Sequence, residues 1–431
     1  MASDSEDCGQ TGVYELDVMQ TAAEPLRPTW GERTFSKVQP GSIRGSIFTL
    51  VSTAVGPGCL TLPGRMANSG IVLHLLIMLG VALVTYLGIL TIARAADHYN
   101  TYHFADLVSK ALGPTWGLLL DLVVIIDIYG IIIAFQIMIG EVVPSILGSL
   151  TLHAEYTLER DVTMIVLNVA VMLPLGMFRN LSALRFVSLV SVISLVLVGL
   201  TLVAELAFFN HHYSNLAYFE VNMDLFSTYA VTLLTFVCHC NVPIIHKELA
   251  KRSVKRMSKV TFRAMLIVLG GYATIALFGY LSVPQSPPSI ITQRSTPPGI
   301  HNDWVMVICR TVFVVTVIFA IPINGPPFRN SISKLLFKQE KPDLKLHVGI
   351  TLFLQFSTLA IAMFYPAIIF LFNFIGGFCG SFLALLIPGL LHYKLSGKHW
   401  SNPWNLLVLS ISISLTLVGF TSVLLSIVAL A

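Results

Sequence analysis

Hydrophobic residues in this chain come in long runs, not in strict alternation. Eleven apolar stretches follow one another, over roughly 43–70, 71–94, 115–148, 162–178, 186–209, 223–245, 262–283, 303–323, 346–366, 368–391 and 404–430. About twenty apolar residues in a helix cross a hydrocarbon core of about 30 Å. The pattern therefore predicts an all-α polytopic membrane protein of about eleven transmembrane helices. The third stretch is long enough to tilt steeply or to protrude. Residues 1–42 are polar and mixed in charge, carry Pro25, Pro28 and Pro40, and read as a disordered cytoplasmic tail without a signal peptide. The membrane domain is expected over 43–431.

Two stretches are interrupted. The first contains Ser52-Thr53-Ala54-Val55-Gly56-Pro57-Gly58, and the sixth contains Thr235-Phe236-Val237-Cys238-His239-Cys240-Asn241-Val242-Pro243. Glycine is a poor helix residue, and proline removes an N–H and clashes with the preceding turn. Unwound backbone persists in a bilayer only where it is buried in protein or lines a wet cavity. The interruptions open two sets of five spans, which is the signature of a five-plus-five inverted repeat with a site at mid-depth. Repeat one is expected over 43–209, repeat two over 223–391, with an extra helix at 404–430.

Composition agrees. Hydrophobic residues make up 55% of the 431 and charged residues only 11%, with a mean hydropathy of +0.79. That is too little charge for a soluble surface. The net charge of +4 does not point to nucleic acid, because most Lys and Arg fall on one side of the bilayer. Arg27, Arg33, Lys37 and Arg44 precede the first span, and Lys247, Lys251, Arg252, Lys255, Arg256, Lys259 and Arg263 follow the sixth. This asymmetry predicts a cytoplasmic N-terminus. It also places the one glycosylation sequon, Asn180-Leu181-Ser182, on the cytoplasmic side, so no glycan is expected.

The chemistry on offer is that of binding. A half-helix beginning near Cys59 presents unpaired N–H groups and partial positive charge to a carboxylate. Carbonyls near Thr53 and Ala54 suit an ammonium group, and Gly56 and Gly58 allow close approach. Together they fit the zwitterionic head of an amino acid. At the second interruption Cys238, His239 and Asn241 are the polar candidates. His239 is either a proton relay or a neutral histidine bonded to a carbonyl. Cys238-His239-Cys240 point different ways on one helix, so no metal site is expected. Asp127 is the most central carboxylate, and is either a coupling or gating residue or a structural ion-pair partner, with Arg310 as the candidate cation. Glu141 and Glu205 are expected to reach the interface. Asn324-Gly325-Pro326-Pro327 predicts a turn ending span eight. The loops carry no Ser/His/Asp set, paired carboxylates or phosphate-binding glycine loop, so neither an enzyme nor a cofactor is expected.

Thr53-Ala54-Val55-Gly56-Pro57-Gly58-Cys59-Leu60-Thr61-Leu62-Pro63, followed by Ala67-Asn68-Ser69-Gly70, resembles the first-helix motif of the amino acid/auxin permease family. Phe236-Val237-Cys238-His239, then Pro243-Ile244 and Glu248-Leu249, is similar to the sixth helix of its sodium-coupled neutral amino acid transporter branch. Ala276–Leu281 resembles the seventh helix, and Arg310, Pro322 and Arg329 keep the spacing of the eighth. The resemblance implies eleven helices, alternating access, and secondary transport of amino acids driven by protons or sodium. Two departures stand out. Ser52 occupies the place of an asparagine, and Ile318 or Ala320 the place of a threonine, leaving Ser52 and Thr316 as candidates for a sodium site. Oxygen ligands are what that cation needs, so their loss favours proton coupling or facilitation. A transporter-like amino acid sensor is the remaining alternative. The residues leave plasma membrane and vacuolar or lysosomal membrane equally open.

Overall fold

The computed structural model describes residues 41–150, 159–177, 185–208, 216–295, 303–339, 342–365, 367–399 and 402–429. Residues 1–40 of the expected tail, and Asn180, lie outside them. Among the described residues every regular element is helical. Ten helices are long and apolar enough to cross a membrane, and a bent pair, Ile43–Ala54 with Pro57–Ser69, makes an eleventh span. Spans two to five are Ile71–Tyr99, Pro114–Leu150, Arg160–Met177 and Arg185–Leu206. Span six is Asp224–Phe236 plus Val242–Glu248, and span seven is Val254–Ser282. Spans eight to eleven are Trp304–Phe337, Leu344–Phe364, Ile368–Ser396 and Pro403–Val428. The face at which Ile43 starts is called the near face; odd-numbered spans run away from it.

The packing has the symmetry of two intertwined sets. Span one packs on seven, and span six on two; span one on five, and six on ten; span three on nine, and eight on four. Spans three and eight, which exchange with each other, form the central pair. Five is odd, so the second set enters the bilayer inverted relative to the first. Span eleven lies against six and ten, outside this exchange. Close approach on that side depends on two glycines of span ten. A Cβ at Gly376 would sit 2.0 Å from the Ala230 carbonyl oxygen, and one at Gly377 would sit 2.5 Å from that of Gly419. Span ten winds as a π-helix over Ile375–Gly380 and Phe382–Leu386.

Two expectations need correcting, and one element was not foreseen. Span eight does not end at Asn324–Pro327 but continues to Phe337. Its continuation is held from outside. Arg329 donates to the Gly176 carbonyl at 3.1 Å, Ser331 to Asp121 at 2.9 Å and Lys334 to Asp106 at 2.6 Å. These bonds hold the residues beyond the prolines against neighbouring helices. Glu205 does not reach for the interface: it is buried and ion-paired with Arg294 from the connector before span eight. A short helix, Phe104–Leu112, buries Phe104, Leu107, Val108 and Ala111 along one face between spans two and three; too short to cross a bilayer, it escapes a search for long apolar runs.

Candidate functional site

Both interruptions are present, and each has a local cause. The first helix ends at Ala54, where Val55 turns to φ −70°, ψ 111° and donates its N–H back to Val51. Gly56 is extended, and a 3-10 turn over Pro57–Thr61 restarts the span with proline in its first turn, where the missing N–H costs nothing. The two halves are bent by 56°. In span six the helix stops at Phe236, Val237 is again extended, and a 3-10 turn over His239–Asn241 leads into Val242–Glu248, with Pro243 in its first turn.

The two gaps face one cavity. Its wall is Ser52–Gly58 from span one, Leu234, Thr235 and Val237 from span six, Ile131, Ala134 and Phe135 from span three, with Ser191, Ala320, Asn324 and Phe372. A water-sized sphere can be centred within about 70 Å³ of it. One water needs about 10–15 Å³ on that measure, so the space suits a few waters or a small solute. None of these lining residues is charged. Thr53 donates its hydroxyl to the Leu50 carbonyl at 2.8 Å and Thr235 to that of Thr232 at 2.7 Å. With their protons engaged, both oxygens remain as acceptors, which suits an ammonium group. Ser52 donates to Ser191 at 3.3 Å.

Of the residues singled out in the sequence, Thr53, Ala54, Gly56 and Gly58 line this cavity; Cys59, Cys238, His239 and Asn241 do not. A Cβ on Gly56 would meet nothing within 4 Å, whereas one on Gly58 would meet Thr235 Cγ2 at 2.8 Å. Gly58 thus admits the other broken helix as well as bordering the cavity. His239 is fully buried on the opposite side of its helix turn. Its Nε2 is 3.1 Å from where a Cβ of Gly88 would be, with the Thr85 backbone beside the ring. Asp127 is buried off the cavity, within electrostatic reach of Cys240 and Cys379, and its Oδ1 lacks a hydrogen-bond partner among the described residues. Arg310 is not its partner: that side chain donates to the Thr292 carbonyl at 2.6 Å near the far face. Thr316 donates to Val312 within its own helix at 3.0 Å and stands off the cavity wall, unlike Ser52.

Three contributors escape a reading of the two gaps. Ser191 and Asn324 are two among several polar residues of spans five and eight, such as Ser194, Thr201, Thr311 and Thr316, and no local signal sets them apart. The third is Tyr272 of span seven. Its buried hydroxyl lies 2.8 Å from the Ala54 carbonyl oxygen and 3.1 Å from that of Thr235, and so bridges the two broken helices. One carbonyl expected to be open at the first gap is therefore already engaged.

The comparisons decide the family. Residues 39–431 match the family described as transmembrane amino acid transporter protein. The chain belongs to that family. It is 25% identical to vacuolar amino acid transporter 5 of Schizosaccharomyces pombe over 86% of this chain and 88% of that one. It is likewise 25% identical to sodium-coupled neutral amino acid symporter 2 of Danio rerio, over 82% of this chain and 75% of the relative. A crystal structure of the Eremococcus coleocola manganese transporter superposes with a TM-score of 0.55 at 13% identity, covering 89% of this chain and 93% of that one. The last likeness is one of fold alone. This member of the family is a multi-pass transporter of amino acids, not an enzyme.

Proposed function

We propose that the chain is a secondary transporter that moves an amino acid by alternating access, coupled to protons or facilitative, with the cavity between the two gaps as its substrate site. The observation that carries this reading is that residues from both interrupted helices wall one small uncharged cavity. The amino acid's carboxylate faces the N–H groups of the 3-10 turn at Pro57–Thr61. Its ammonium group faces the acceptor oxygens of Thr53 and Thr235. Ser52, Ala54, Gly56 and Gly58 shape the contact, while Cys59, Cys238 and Asn241 support the turns from behind.

Asp127 is the coupling group in this reading, acting on the second gap through Cys240 and not by touching substrate. His239 has a structural place against span two. Sodium is the second reading, because the Danio rerio relative is named for it. Against it, only Ser52 of the two candidate oxygen ligands is on the cavity wall, and the Thr316 hydroxyl is engaged with the Val312 carbonyl. The near face, which receives most of the Lys and Arg, is the cytoplasmic one. The membrane is either the plasma membrane or a vacuolar or lysosomal one.

The test is uptake of labelled amino acids into proteoliposomes, with and without a pH gradient and with and without sodium. Uptake that ignores sodium, whether or not it responds to pH, agrees with the proposal. A strict sodium requirement overturns the coupling, and no uptake of any amino acid overturns transport.

A further inference from the structure

Residues 216–223 lead into span six on the far face, and their backbone is fastened to the turn between spans one and two. The N–H of Ile71 donates to the Ala217 carbonyl at 3.0 Å, that of Val72 to Tyr218 at 2.9 Å, and that of Glu220 to Ser69 at 2.9 Å. Asn222 Nδ2 donates to the Asn68 carbonyl at 2.9 Å, and the Ala217 N–H to the Tyr280 hydroxyl at 3.0 Å. The turn itself has no room to spare. Gly70 sits at φ +80°, and a Cβ there would lie 2.5 Å from the Tyr218 carbonyl carbon.

On this fixed backbone the large side chains are bare. Tyr218, Phe219, Val221 and Met223 are 60%, 58%, 75% and 74% exposed. Phe219 and Val221 alternate with Glu220 and Asn222, the period of an extended chain, and Met223, at φ −65°, ψ −21°, follows as the cap of span six. A contiguous apolar patch marks an interaction surface. Continuity says which one. Val72, whose N–H bonds to Tyr218, heads an exposed row of Val72, Leu76, Leu79, Leu83 and Leu87 on span two. That row has helical spacing and is the lipid-facing side of a membrane span.

We propose that residues 218–223 form an interfacial anchor. Phe219, Val221 and Met223 enter the boundary between headgroups and acyl chains of the far leaflet, with Tyr218 at headgroup level. Apolar and aromatic side chains are favoured at that depth. Irregular backbone is tolerated there, because water and headgroups still reach it, as they do not in the hydrocarbon centre. The anchor ties the Gly70 turn, and through it the far half of span one, to the bilayer. It does not depend on the identity of the substrate.

The test places a nitroxide at Val221→Cys, and separately at Phe219→Cys, in the full chain with Cys8→Ser, reconstituted in phosphatidylcholine nanodiscs. Leu83→Cys is the lipid reference and Lys338→Cys the water reference. Collision rates are measured with oxygen, which enters lipid, and with a water-soluble nickel chelate. Both labels are expected to meet oxygen as Leu83→Cys does and the chelate several-fold less often than Lys338→Cys does. Chelate collisions at the water-reference rate would mean that the segment faces water or a soluble partner, and low collisions with both reagents would mean a protein contact. Either result overturns the anchor.

Discussion

The hydroxyl of Tyr272 donates to the carbonyl of Ala54 at 2.8 Å, and the Thr235 carbonyl lies 3.1 Å from the same oxygen. A phenol has one proton, so the two carbonyls share it. The consequence is mechanical. Span seven holds the end of the near half of span one against the end of the far half of span six, at the level where both are unwound. Phe236 packs edge-on against the same ring at 5.3 Å. Tyr272→Phe keeps the ring contact and removes the donor, leaving two buried carbonyls without it. An unsatisfied buried group costs about 1–3 kcal/mol. A lower thermal midpoint in detergent is expected, with uptake reduced more than surface abundance. An unchanged midpoint would show that the bridge carries no weight.

Gly58 and Thr235 make the other contact between the broken helices. The Thr235 hydroxyl is tied to Thr232 at 2.7 Å, so its methyl cannot swing aside freely. A Cβ on residue 58 would meet that methyl at 2.8 Å. Overpacking of this kind costs about 1–3 kcal/mol. Gly58→Ala is expected to lower stability and uptake, and Thr235→Ser, which keeps the hydroxyl and deletes the methyl, to restore much of both. Gly56→Ala meets nothing within 4 Å and is expected to fold normally while taking up less substrate. A double-mutant cycle on thermal midpoints checks the pair; strictly additive losses would deny the clash.

How much of this was legible beforehand follows from the range of the forces involved. Span number and the two gaps are local facts. Apolar run length fixes the first, and Gly56-Pro57-Gly58 with Pro243 fixes the second. Gly56 reaches the cavity from the first gap itself, and Thr53, Ala54 and Gly58 from the turns that border it. Cys59, His239 and Asn241 lie along the turns, and Cys238 lies in the second gap beside Val237, yet all four face away, a difference that only tertiary packing sets. Tyr272 was out of reach for the same reason, since its partners are 218 and 37 residues distant. The prolines of span eight misled because the groups that hold its continuation belong to other spans.

Asp127 is a buried carboxylate whose Oδ1 has no hydrogen-bond partner among the described residues, and Arg310 is engaged elsewhere. Ionisable residues at such positions in membrane proteins mark ion or proton paths. Asp127→Asn, which is nearly isosteric, is expected to flatten the dependence of uptake on external pH at unchanged abundance. His239→Gln is expected to leave that dependence in place while lowering the thermal midpoint, because its ring fills a tight contact with Gly88. The reverse pattern would move the coupling role from Asp127 to His239.

The far ends of spans five and eight carry a compact charge cluster. Glu205 is paired with Arg294, and Asp303 and Arg310 lie within electrostatic reach of both. Asp303 also accepts from the Met306 N–H at 2.9 Å and so caps span eight. Two carboxylates balance two guanidinium groups, and Glu205 and Arg294 are buried. Glu205→Gln removes one negative charge and leaves Arg294 short of its partner. Breaking a buried pair in this way costs about 3–5 kcal/mol. The double change Glu205→Gln with Arg294→Met removes both charges, and replacing a buried pair by uncharged residues is often close to neutral. The single variant is therefore expected to have the lower thermal midpoint. Equal midpoints for the single and double variants would mean that the pair contributes no coupling and that the cluster is held by Asp303 and Arg310 alone.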